Sequence, residues 1–152
     1  VHGGSQAVDI SGERQYTRVI FGRQTTDGST VATYLNNDGA SLYPIPTNSI
    51  MYFNVSCLAV RVGGSNVSGD IGDYASWLER GVVISRDGTL EIKRDRKDMS
   101  NDGVVTDWLP TAVIDGTNFY IQFTGETDCI IEFSAVVDFT EIRTDVDLST
   151  GR

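Results

Sequence analysis

Chemistry needs groups that attack, exchange protons or hold metals, and this chain has few of them in a usable arrangement. Its one histidine, His2, lies near the start of 152 residues, which leaves nucleophile–histidine pairs and histidine zinc sites without an imidazole in the body of the chain. Acid–base hydrolysis requires two carboxylates at fixed separation in a cleft. Asp70, Asp73 and Glu79 are close in sequence, as are Asp95, Asp98 and Asp102. Among 21 acidic residues such groupings arise by chance and read as solvated loops. The stretch Asp98-Met99-Ser100-Asn101-Asp102-Gly103 has oxygen donors around a glycine but lacks the calcium-loop spacing and its closing glutamate. No Gly-x-Ser-x-Gly elbow is present, and Gly63-Gly64-Ser65 follows a strand without a lysine or a helix to cradle phosphate. Cys57 and Cys129 sit in apolar alternating runs and read as small buried hydrophobes, with a disulfide between them left open. The sequence therefore assigns no catalytic, cofactor-binding or metal-ligating residue, and the expectation is a chain that is not an enzyme.

Binding chemistry is better represented. Lys93-Arg94-Asp95-Arg96-Lys97-Asp98 is the one basic cluster, diluted by its aspartates, and reads as a solvated loop or an anion contact. The sequons at Asn54 and Asn66 are common by chance, and Asn54 lies mid-strand. Trp77, Trp108, Tyr43, Tyr52, Tyr74 and Tyr120 are divided between core packing and exposed rings that would bind sugar faces or protein partners. Trp108, near Pro110, is the preferred candidate for an exposed or subunit-facing ring. The expected binding contacts are Trp108, Arg96, Tyr43 and Tyr74, within loops 36–43, 65–74 and 93–108. A net charge of -9 disfavours nucleic acid. No apolar run is long enough for direct membrane insertion.

These side chains must be positioned by strands. Sixteen glycines and three prolines, with little helical patterning, favour many turns between many strands. From Met51 to Val62, Phe53, Val55, Cys57 and Ala59 share one face; Tyr52, Leu58, Val60 and Val62 share the other. From Tyr74 to Ser85, Leu78, Val82 and Ile84 oppose Trp77, Gly81 and Val83, with Arg80 on the first face. From Cys129 to Arg143, Ile131, Phe133, Ala135, Val137 and Phe139 oppose Ile130, Val136 and Ile142. Further strands are expected at 18–22, 31–35, 90–92, 104–109, 112–114 and 119–123. Turns are expected at 25–29, 36–39, 86–89 and 124–128, and a charged loop over 93–102. The architecture expected is all-β: an antiparallel two-sheet sandwich, jelly-roll-like, of eight to ten strands. Its single domain is placed at 16–143, after a linker or domain start at 1–15 and before a polar tail at 144–152. Strands apolar on both faces need a second cover, so Leu58, Val60 and Val136 are expected at a subunit interface.

Three segments carry a resemblance: 53–61, 77–86, and 124–126 with 130–137 and 139–142. Over about residues 50–143 they resemble the domain closing many tailed-phage fibre and tail-appendage proteins, with Phe133 where that family often has tryptophan. The resemblance implies a homotrimeric head of the tail-needle, tumour-necrosis-factor or C1q-like type. It implies a virion location outside the cell, and attachment to a host surface glycan or protein. The other class compatible with sandwich and aromatics is a lectin-like carbohydrate-binding module of a bacterial secreted protein.

Overall fold

Period-two alternation over long segments produces long strands, and antiparallel pairing lets short Gly- and Asn-rich turns join them. The structure, a computed structural model, describes residues 13–86, 88–102, 105 and 107–143. Within them the strands are β1 (Glu13–Thr25), β2 (Thr30–Ala32), β3 (Tyr34–Leu35), β4 (Tyr43–Pro44), β5 (Ser49–Gly63), β6 (Tyr74–Arg86), β7 (Thr89–Asn101), β8 (Leu109–Asp115), β9 (Asn118–Thr124) and β10 (Ile130–Arg143). They form a six-stranded sheet in the order β3-β1-β10-β5-β6-β7 and a smaller sheet centred on β9. All the pairings are antiparallel. In the small sheet β8 pairs along the whole of β9, and β2 and β4 share the other edge. The two-sheet antiparallel sandwich is as expected. The expected linker up to residue 12 and the tail at 144–152 lie outside the described residues.

Rings hold the two sheets together. Phe119 of β9 lies 5.2 Å from Phe53, 5.0 Å from Phe139 and 6.2 Å from Phe21, centroid to centroid. Phe123 stacks on Phe133 at 4.4 Å and meets the edge of Trp77 at 6.3 Å. Each such side chain, fully buried, contributes roughly 1.5–3 kcal/mol. Gly81 makes this packing possible: a Cβ there would stand 2.7 Å from the Phe53 ring and 2.0 Å from the Lys93 carbonyl. Cys57 and Cys129 are both buried free thiols.

Two local expectations are corrected. The charged segment from Lys93 onward is a strand, β7, pairing with β6 through Asn101↔Ala75. An edge strand exposed on both faces tolerates charge, so its sequence loses the apolar alternation. Pro110 does not divide one strand from the next but lies inside β8, paired with Phe123. An edge strand can spare the missing N–H. Among the described residues, Val105 and Trp108 precede β8 outside any strand.

Candidate interface on the outer face of the large sheet

Residues directly opposite in antiparallel strands point the same way, so the registers assemble the outer face level by level. Across β1, β10, β5, β6 and β7 one level reads Arg14, Ile142, Ile50, Ile84, Glu91. The next reads Tyr16, Thr140, Tyr52, Val82, Lys93. Then follow Arg18, Asp138, Asn54, Arg80, Asp95 and, beyond them, Ile20, Val136, Ser56, Leu78, Lys97. Leu58 and Val60 continue β5 beside Ser76 and Tyr74. Tyr16, Ile20, Ile50, Tyr52, Leu58, Val62 and Ile142 are each between 41% and 54% exposed. Water faces a sheet surface that is greasy on four adjacent strands, and contiguous apolar patches of this kind mark interaction sites.

The third level is polar. Asp138 accepts from Arg18 Nε at 2.7 Å, from Arg18 Nη2 at 3.1 Å and from the Tyr16 hydroxyl. The Arg18 hydrogen bonds hold the Asp138 carboxyl below its usual range, and the carboxylate in turn raises the Tyr16 phenol. Next to this pair, the Oδ1 of Asn54 is buried with no hydrogen-bond partner. Among the described residues, the side chains of Arg80 and Asp95 make no hydrogen bond or ion pair.

The expected contact residues are dispersed. Leu58, Val60 and Val136 do share the outer face. Tyr74 joins them at its margin, its hydroxyl 2.8 Å from Ser100 Oγ. Trp108, the candidate for an exposed or subunit-facing ring, is not exposed: the ring is 3% exposed and donates Nε1–H to Glu126 at 2.8 Å. Tyr43 stacks on Phe139 at 4.4 Å against the core. Arg96 donates to the Pro110 carbonyl at 3.0 Å, tying β7 to β8. The sequence reading gave no contact role to Arg18 or Asp138 and took Asp95 for part of a solvated loop; the cue was polar residues recurring on an otherwise apolar face.

The two ends of the sandwich differ. Glu13 pairs with Arg143, so both ends of the described chain meet at one end. The opposite end gathers loops 26–29, 64–73 and 125–129. Buried Arg61 braces the middle one, donating to the carbonyls of Gly63, Gly64, Asn66 and Ser68. That loop holds Val67 at 99% and Ile71 at 68% exposure. Asn66 Nδ2 links it to the Thr127 carbonyl at 2.8 Å.

Buried chemistry is structural. Glu79 accepts from the Ala112 N–H at 3.2 Å with Arg94 Nε at 3.6 Å, and burial pushes its carboxyl up. Burial likewise pushes the Cys57 thiol up, away from the reactive thiolate. Among the described residues no three His, Cys, Asp or Glu side chains are grouped to hold a metal.

No family model matches the chain, and no curated protein matches it. Solved structures similar to this chain include three from phages. One is gp49 from Acinetobacter baumannii bacteriophage Fri1, a capsular polysaccharide depolymerase: 13% identity, TM-score 0.42, covering 91% of this chain. The second is from Acinetobacter phage vB_ApiP_P1, with 19% identity, TM-score 0.45 and 85% of this chain. The third is from Acinetobacter baumannii phage AM24, with 9% identity, TM-score 0.43 and 82% of this chain. All three are phage tailspike proteins. The sequence resemblance had implied a fibre or needle knob instead. This chain covers 19%, 22% and 26% of those tailspike chains, about a fifth to a quarter of their length. The expectation of no enzyme is corrected by the first tailspike, since a similar chain belongs to a depolymerase. The expectation rested on motifs within 152 residues, and this chain spans 19% of that depolymerase chain.

Proposed function

We propose that this chain is an assembly and attachment domain of a phage tail protein located on the virion. Like copies join through the outer face of the six-stranded sheet as a homotrimer, with Leu58, Val60 and Val136 inside the contact. One observation carries the reading: the outer face exposes Tyr16, Ile20, Ile50, Tyr52, Leu58 and Ile142 side by side. Like copies gathered around one axis are the cover that removes all of them from water at once. The loop end, opposite the Glu13–Arg143 pair, is directed at the host. Its braced 64–73 loop supplies Val67 and Ile71 as contacts to a surface glycan or protein. Weak contacts repeated on several copies raise avidity without further affinity per site.

Light scattering on the purified chain tests this directly. The expected mass is three times 16.6 kDa. A 16.6 kDa particle at every concentration overturns the assembly reading. A monomer that nonetheless binds polysaccharide returns the carbohydrate-binding module instead.

A further inference from the structure

The polar level across the outer face has an order that an unspecific greasy patch would lack. From β1 to β7 it runs Arg18, Asp138, Asn54, Arg80, Asp95: positive, negative, neutral, positive, negative. Read from the other edge, every charge meets its opposite, with Asn54 at the pivot. The level of Ile50 repeats the feature, since Arg14 on β1 has Glu91 at the mirrored place on β7. Strands lie about 4.8 Å apart, so the polar level spans about 19 Å. That is wide enough for two charge pairs and a central contact.

We propose that the cover on this face is a further copy of this chain, turned about an axis alongside β5, with Arg80 of one copy on Asp138 of the next and Arg18 opposite Asp95. This rests on the self-association proposed above and adds its register and direction. Rotation about an axis parallel to β5 keeps every residue at its own level and sets the β10 half of one sheet against the β6 half of the next. A two-fold and a three-fold axis both do this. An axis along the polar level would instead set Arg18 on Arg18 and Asp138 on Asp138, which like charge forbids. A slip of two residues along the strands would set Asp138 against Val82 or Leu78, leaving a covered charge unpaired.

The local chemistry fits this register. A carboxylate has about four acceptor sites. Asp138 has three donors within its own chain, which leaves room for one more. The Arg80 guanidinium has no hydrogen-bond or ion-pair partner among the described residues and lies on the facing half. Asn54, neutral and half-buried between the two charge pairs, brings no like charge to the axis where it meets Asn54 of the next copy.

Sedimentation velocity on the full chain, with circular dichroism to monitor folding, tests the register. Arg80→Asp and Asp138→Arg are each expected to weaken assembly about a hundredfold. Together they restore it to within about tenfold of the parent, because the pair is re-formed with its charges exchanged. Should Asp138→Arg fail to fold beside Arg18, Asp138→Asn replaces it. Added to Arg80→Asp, it lifts the like-charge repulsion and recovers some of the assembly. An assembled parent whose mass ignores Arg80→Asp, or whose loss neither second change repairs, overturns this register and leaves self-association standing. A parent that is monomeric throughout overturns both.

Discussion

The two faces of the six-stranded sheet are made by alternate residues of the same strands, yet they solve different problems. On the inner face Phe21, Phe53, Val55, Val137 and Phe139 are fully buried under the rings of β9. That cover belongs to the same chain and is joined to the sheet by short connections. On the outer face isoleucines and tyrosines of similar size stay in water, and a polar level crosses them. The inner face needs no charge for its register, because turns and pairings already define it. A face covered by a separate molecule has no such tether, so its register has to come from the surface itself.

Breaking the inner side should have the largest effect. Phe119 touches three other rings, and Phe119→Ala should cost about 3–5 kcal/mol, with a large fall in the thermal midpoint. A loss under about 1 kcal/mol would mean that the small sheet does not close this core.

The outer side should respond in the opposite sense. Val136→Asp and Val60→Asp should release monomers while the β circular dichroism is retained. The monomer's stability to urea should shift by only about 0.5 kcal/mol. If both variants keep the parent mass, β5 and β10 are not in the interface. If either unfolds the chain, the two faces are not separable.

A smaller effect sharpens the contrast by charge. Burial raises the Glu79 carboxyl on the inner face, so the folded state holds that proton more tightly than the unfolded state. Stability from this group therefore grows as pH falls through the folded value and is lost as pH rises through it. Asp138 on the outer face is lowered, so its contribution is present above the ordinary carboxyl range and lost as pH falls through the folded value. Glu79→Gln should leave neutral-pH stability unchanged or higher by about 1 kcal/mol, since it removes a buried charge and keeps an acceptor for Ala112. Melting curves of parent and variant from about pH 7 to about pH 4 should then converge. A gap that widens with acid would refute this account of Glu79.

Strand patterning accounts for what could be read early. The division of β5, β6 and β10 into two faces follows from alternation, and that placed Leu58, Val60 and Val136 together. Patterning failed at β7 because an edge strand has little core to match, so its charges looked like a loop. It failed at Trp108 because the partner of the indole N–H, Glu126, comes from another connection 18 residues away. A buried tryptophan with its N–H satisfied has the same local sequence as an exposed one.

Side-chain periodicity settled that the protein is all-β and which residues share a face, because a strand reverses its side chains at every residue whatever it pairs with. Tertiary structure decided which strands are neighbours. Placing β10 between β1 and β5 brings Asp138 beside Arg18, 120 residues away, and beside Asn54. The charged level across the sheet is a product of that pairing order. Strand order depends on contacts between distant segments, and local pattern carries no record of them.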